Sequence, residues 1–323
     1  MRGSSRIGWF FLLCAALAFG LDADIDSGLR RIKTSDKGAF NAAMSGGVNA
    51  QIVVNGSSRA LVHYDPALIQ QQTGRTAYNL GRNGSHIDMQ VAVLEAYLRH
   101  NAKPELVIQN LDPHTFVPTD AVYDPAQYLP YLQEECLYRA LLQIHPHAWK
   151  WKYLPLYGYV VEDMRFTWLR GFAAWLGINP REDHFRGYNP RDTQWTGDFE
   201  KFKAQHTEGF SPQIDPEGVR HVESLIQLCR SRGVPLILCY SPEYAEMQRI
   251  TRNRQDLIGR FRQLAEKGKV TFLDFSDSQV CSKREHFYNS QHLNREGSKL
   301  FSLELAQRLN NTLFSNRPVS VVP

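Results

Sequence analysis

Gln51-Ile52-Val53-Val54-Asn55-Gly56-Ser57-Ser58 is a short apolar run that stops abruptly at glycine and serine. Three β-branched apolar residues in a row, with no polar alternation, suit a strand covered on both faces, as in a parallel sheet. Asn-Gly-Ser-Ser then favours a turn over a longer strand. Working outward, residues 66–72 suit a short helix. Thr76-Ala77-Tyr78-Asn79-Leu80 suits a second strand, closed by Gly81-Arg82-Asn83-Gly84. From Ile87 to His100, residues Met89, Val91, Val93, Leu94, Tyr97 and Leu98 mark an amphipathic helix. Lys103-Pro104 ends it, and Glu105-Leu106-Val107-Ile108-Gln109 reads as a third strand.

This β-α-β-α-β opening is the pattern of a doubly wound sheet, and it returns late in the chain. Residues 216–232 suit a helix, 234–240 a strand, 252–267 a helix, 270–274 a fifth strand and 295–313 a closing helix. The expected fold is α/β: a doubly wound (flavodoxin-like) parallel sheet of about five strands, helices on both faces, three layers α/β/α. Residues 113–213 interrupt the alternation. They are rich in aromatic residues, with Trp149, Trp151, Trp168, Trp175 and Trp195, and suit a helical insertion. Such an insertion either folds over the C-terminal edge of the sheet, where ligands bind in these folds, or only buries apolar area.

The N-terminus differs from the rest. Arg2 and Arg6 precede a 13-residue apolar run, Trp9 to Leu21, with Ala16-Leu17-Ala18 near its end. That is the make-up of a signal peptide, or of an N-terminal membrane anchor that recruits its flanks, since the run alone is short of the roughly 20 residues that cross a bilayer. Residues 1–21 are therefore expected to direct the chain out of the cytoplasm, to the periplasm or cell envelope, secreted or anchored. Residues 22–49 look like a stalk or a lead-in helix, and 50–315 like the main domain. The 37 basic and 33 acidic residues are spread along the chain without runs, so nucleic acid is not an expected partner. Cys136, Cys229, Cys239 and Cys281 form no CxxC pair, and no His/Cys cluster has metal-ligand spacing, so no metal and no organic cofactor is expected.

Four elements could carry chemistry. Ser58 follows strand one, where a serine is either a helix cap or a nucleophile whose own N–H faces a developing oxyanion. Gly84 ends the second strand–turn unit, where the absent side chain lets a backbone N–H approach a substrate oxygen, or simply makes a turn. Asn110 follows strand three and is either a turn-capping residue or a donor to the same oxygen. His292 lies in Phe287-Tyr288-Asn289-Ser290-Gln291-His292-Leu293-Asn294, the loop before the last helix, from which it could reach strand one as a proton shuttle.

In this order, on this fold, the four elements resemble those of the SGNH/GDSL hydrolase family, in particular its extracytoplasmic branch associated with polysaccharide O-acylation. Gly56-Ser57-Ser58 stands where that family has Gly-Asp-Ser, and Asn79-x-x-x-x-Gly84 where it has its second glycine block. Asn110 is a loose counterpart of the third block, whose Gly-x-Asn-Asp is absent. Asn289-Ser290-Gln291-His292 matches the final Asp-x-x-His with asparagine in the acid's place, continued by His-Leu-Asn-x-x-Gly to Gly297. The resemblance implies Ser58 as nucleophile, His292 as base and Asn289 holding the imidazole through its carbonyl oxygen. Gly84 and Asn110 would serve the oxyanion, with Ser57, Arg59 and Asn79 beside the substrate. It further implies an esterase or O-acyltransferase acting on an acylated carbohydrate, with a membrane-bound acyltransferase as a possible partner. A degenerate, glycan-binding accessory protein is the alternative. Asp274 or Asp277 after strand five could replace the missing acid, or merely close a turn. His145, His147 and Trp149 could form a metal or sugar patch or simply pack, and exposed tryptophans could stack on sugars. Asn55, Asn83 and Asn310 head Asn-x-Ser/Thr sequences.

Overall fold

The structure is a computed structural model that describes residues 2–119, 121–161, 166–179 and 184–314. The chain divides into two units: Met1–Ala42 with Asp120–Asp183, and Ala43–Thr119 with His184–Pro323. In chain order the helices are α1 (Arg2–Arg30), α2 (Ser35–Met44), α3 (Ser58–His63), α4 (Pro66–Thr73) and α5 (Ile87–His100). The intervening region adds α6 (Glu135–Ile144), α7 (Ala148–Tyr153), α8 (Tyr157–Val161), α9 (Thr167–Trp175) and α10 (Asp198–Gln205). Then come α11 (Pro216–Ser231), α12 (Ala245–Ile250), α13 (Arg254–Gly268) and α14 (Arg295–Leu309). The strands are β1 (Ile52–Asn55), β2 (Ala77–Asn79), β3 (Leu106–Leu111), β4 (Leu236–Tyr240) and β5 (Thr271–Asp274).

The second unit holds the sheet, with order β2-β1-β3-β4-β5 and every pairing parallel. This is the doubly wound α/β fold expected from the strand pattern. Strands β1 to β4 are buried along their length because helices cover both faces, while edge strand β5 buries only Leu273. On one face Ile52, Val54, Ile108, Ile237 and Cys239 pack with Ala60, Tyr64 and Ile69 of the α3–α4 segment and with Phe301, Leu305 and Leu309 of α14. Each such large side chain contributes about 1.5–3 kcal/mol. Elsewhere α11 packs on both α5 and α13. The helix starts follow local chemistry. Asp65 and Asp215 cap α4 and α11 ahead of Pro66 and Pro216, and Asn294 caps α14 by accepting from Gly297 N at 3.0 Å.

Of the two readings of the lead-in segment the structure has the helical one: α1 continues unbroken past residue 21 to Arg30, and α2 follows. The insertion expected over 113–213 is divided: 120–183 groups with the N-terminal segment, while 113–119 and 184–213 group with the sheet unit.

Strand order reverses between β1 and β3, one running to β2 and the other to β4, which leaves a crevice at their C-terminal ends. Gly56 shapes it. Its φ is +153°, and an added Cβ would lie 2.8 Å from Ala60 Cβ and 2.9 Å from Asn110 Cβ. Both neighbours are fixed to backbone and cannot yield, so Gly56→Ala is expected to destabilise the fold by about 2–3 kcal/mol. For a unit of this size that is a melting-point drop of roughly 4–10 °C. An unchanged melting point would mean the β1–α3 turn is not under this restraint.

Candidate active site

The crevice is a cleft of about 260 Å³ lined by, among others, Ser58, Gly84, Asp112, His114, Gln291 and His292. Ser57 caps α3: its Oγ accepts from Arg59 N at 3.3 Å and donates to Asp112 Oδ2 at 2.6 Å. Ser58 is thereby the first residue of α3, in the turn whose N–H groups have no intrahelical acceptor. Its hydroxyl is 2.7 Å from His292 Nε2.

His292 rides on a loop pinned at several points. Phe287 bridges to Leu293, with Tyr288 N donating to His292 O at 3.1 Å, and the Tyr288 ring stacks on the His292 ring. Leu293 N donates to His63 Nε2 at 3.0 Å. Since that nitrogen accepts, His63 carries its proton on Nδ1 and donates to Ser241 Oγ, 2.9 Å away. The same logic settles the His292 tautomer. Asn289 Oδ1 accepts the backbone N–H of Gln291 at 3.1 Å and of His292 at 2.9 Å, so the atom there is the oxygen. His292 Nδ1 is also 2.9 Å from it and must be the protonated nitrogen. Nε2 is left with a lone pair facing the Ser58 hydroxyl, the arrangement a general base needs.

Burial drives the His292 pKa down to about 3, helped by the Arg59 guanidinium, with Arg191 and His114 adding and the Asp112 carboxylate opposing. Arg59 itself is fully buried beneath the cleft. Its guanidinium donates to the carbonyls of Ser241 and Pro242 and lies over the Tyr240 ring, 4.9 Å from its centre. Glu243, also buried and bonded to the Tyr240 hydroxyl, sits in the same charge cluster; desolvation raises its pKa and Arg59 lowers it. The charge next to Ser58 is thus held inside the protein as a fixed field.

The sequence candidates therefore fall into two groups. Ser58, His292 and Asn289 come together, and Gly84 lines the same cleft in a turn at φ +61°, its segment held beside β1 by Leu80 N to Val54 O and Arg82 N to Gly56 O. Asn79 and Asn110 are not among the residues that line the cleft. Asn79 is buried, donates to the Ala60 and Tyr64 carbonyls at the end of α3 and accepts from Gly81 N. Asn110 is buried on β3 and accepts from the Tyr64 hydroxyl at 2.8 Å. Arg59 borders the cleft with one guanidinium nitrogen bonded to the Ser241 and Pro242 carbonyls, and Ser57 reaches Asp112. Asp274 accepts from Ser276 at the end of edge strand β5, three strands from β1, and Asp277 is exposed in the following turn.

The sequence patterns singled out neither Asp112 nor His114, which also line the cleft. Both follow β3 at the switch point, and that position was the available signal. His63 carried none, because a histidine in a six-residue helix looks like surface. His145 stacks on Trp151 and meets His147 edge-on. Among the described residues no group of three His, Cys, Asp or Glu could hold a metal ion. Trp195 packs against Tyr244, and Asn55 spends its amide on Gln90 and Gln109. Larger cavities of about 580 and 560 Å³ lie away from this cleft, the first at the N-terminal ends of β3, β4 and β5.

The fold and site define a parallel α/β protein with a serine–histidine contact at its switch point. No family model matches the sequence, and no curated protein matches it. Among solved structures, a GDSL-like lipase from Bacteroides thetaiotaomicron is 11% identical, with 86% of this chain and 100% of that one covered at a TM-score of 0.41. A lipolytic protein assigned to the G-D-S-L family from Desulfitobacterium hafniense is 12% identical, with 80% and 99% covered at 0.39. A candidate acylhydrolase from Bacteroides fragilis is 13% identical, with 81% and 87% covered at 0.38.

Proposed function

We propose that this chain is an SGNH-type serine esterase or O-acyltransferase working through Ser58 and His292. One observation carries it: the Ser58 hydroxyl contacts the lone-pair nitrogen of a histidine whose other nitrogen is held by Asn289. Ser58 Oγ would attack an acyl carbonyl carbon while its proton passes to Nε2. The oxyanion would be met by the N–H groups of Ser58 and Gly84. Collapse would break the bond to the alcohol, which leaves with the Nε2 proton. The acyl-serine would then pass its acyl group to water, or to a sugar hydroxyl in the transferase version. An acylated, exported or cell-envelope polysaccharide is the substrate class we favour, on the sequence resemblance and the N-terminal apolar helix. An extracytoplasmic site of action, with a membrane-bound acyltransferase as partner, fits the same grounds.

A second reading, a degenerate glycan-binding accessory protein, is favoured by the amide that stands at Nδ1 where a triad has a carboxylate. A fluorophosphonate probe separates the two. The wild-type protein is expected to be labelled on the peptide containing Ser58, and Ser58→Ala to remain unlabelled. Equal labelling of both, or of neither, would remove the enzyme reading.

A further inference from the structure

We propose that α9 is a membrane-interface helix, lying in the headgroup layer of a lipid bilayer beside a retained α1. Its side chains are arranged inside out. Gly171 and Ala174, the small residues, are buried, whereas Trp168, Leu169, Phe172, Trp175 and Leu176 are exposed, Leu176 by 75%. Those five positions are spaced as one continuous stripe of a helix. A water-soluble helix does the reverse, turning its large apolar face inward. Small residues in contact and large ones outward is the pattern of helices packed in lipid.

The small face meets α1. A Cβ on Gly28 would lie 2.1 Å from Gly171 O, and one on Gly171 would lie 3.0 Å from Ile25 O, so the two backbones touch. Before that contact α1 is bare: Trp9, Phe10, Phe11, Leu12, Leu13 and Leu17 are all exposed. Arg6–Arg30 forms a helix of 25 residues, long and apolar enough by composition to cross a membrane. Just past Leu21 the helix turns polar with Asp22, Asp24 and Asp26, of which Asp24 is exposed, while Asp22 accepts from Leu156 N and Asp26 from the Tyr159 hydroxyl. The exit from the apolar layer is therefore fixed near Leu21. Ile25 and Gly28 follow it by four to seven residues, or about 6–10 Å of helix, which puts the contact with α9 in and at the outer edge of a headgroup layer about 5–8 Å deep.

The stripe also has interfacial chemistry. Trp168 and Trp175 are the residue type enriched at that depth. The Arg31 guanidinium lies 5.0 Å from the Trp175 ring centre, where it can meet a lipid phosphate. Phe166 and Ile178 continue the exposed apolar surface at either end of α9. In the headgroup layer α9 adds its apolar stripe to the membrane-buried surface of α1.

The test uses the full chain with Cys14→Ser, which removes the one exposed cysteine, and with Leu176→Cys or, separately, Leu169→Cys. Each is labelled with an environment-sensitive dye and reconstituted into phosphatidylethanolamine–phosphatidylglycerol vesicles. At both positions the emission is expected to shift to the blue and to be quenched by a nitroxide lipid labelled just below the headgroup. Iodide in the water is expected to quench it several-fold less than it quenches the dye on N-acetylcysteine. Iodide quenching equal to that reference would overturn the proposal. So would shielding from both quenchers, which would mean that a protein, either a partner or a second copy, covers the stripe. Ester turnover is not the readout, so the outcome is independent of the proposed chemistry at Ser58.

Discussion

Replacing Asn289 with leucine is expected to lower kcat for an activated acyl ester by about 10⁴-fold, the loss seen when a triad can no longer fix its imidazole tautomer. In that template the amide substitution fails because the ring is left in the wrong tautomer. Here the amide is already present, and its oxygen is turned toward Nδ1 by two backbone N–H groups that no amide NH₂ could accept. Asn289 thus does half of what a carboxylate does: it orients the ring but adds no negative charge when the imidazolium forms. Leucine removes the orientation and leaves two N–H groups unpaired, so loop collapse alone could produce the loss. Asn289→Asp separates the two causes. It keeps an oxygen in place and adds the charge, so the His292 pKa should rise by about 1–3 units. A stronger base at this position should raise kcat by about 10-fold or more. A residue that merely shaped the loop would leave both kcat and the pH profile of the aspartate variant at wild-type values. That result would count against His292 as the base.

The sheet was legible because each of its strands is a short apolar run ended by glycine, proline or a polar turn, because α5 has a clear apolar face, and because α11 opens on Asp215 and Pro216. Ile87–His100 is bounded in the structure as its periodicity suggested. Ser58 and His292 were legible through their places at a strand end and before the last helix. What the sequence hid is long-range pairing. Nothing local to His63 tells that its ring accepts Leu293 N from a loop 230 residues away. Nor could it be seen that Tyr64 would hold Asn110, or that Asn79 would be spent on the end of α3. Polar residues near a site are equally fit to bind a substrate or to satisfy a buried carbonyl, and only the fold decides which.

At pH 5, kcat/KM for an activated ester is expected to stay within about twofold of its plateau, where an ordinary imidazole base would be about 97% protonated and would lose roughly 30-fold. The cause is the environment of His292, whose pKa is lowered to about 3 by burial first and by Arg59 next, against the opposing pull of Asp112. The same shift acts on stability with a definite sign. Between about pH 3 and 6.5 the folded chain keeps this ring neutral while the unfolded chain binds a proton. Stability is therefore full above pH 6.5 and falls as the pH drops, by at most about 1.4 kcal/mol per unit. His63, buried and also pushed well below the ordinary value, adds a loss of the same sign. Protonating it would also remove the acceptor for Leu293 N, the residue after His292. Acid should consequently weaken the fold before it protonates the base. Melting points measured in the same buffers are expected to drop from pH 7 to pH 5 while initial rates, taken well below the melting point, hold. A rate limb centred near pH 6.5 with the melting point unchanged would mean that His292 is neither buried nor charge-shifted as its surroundings require.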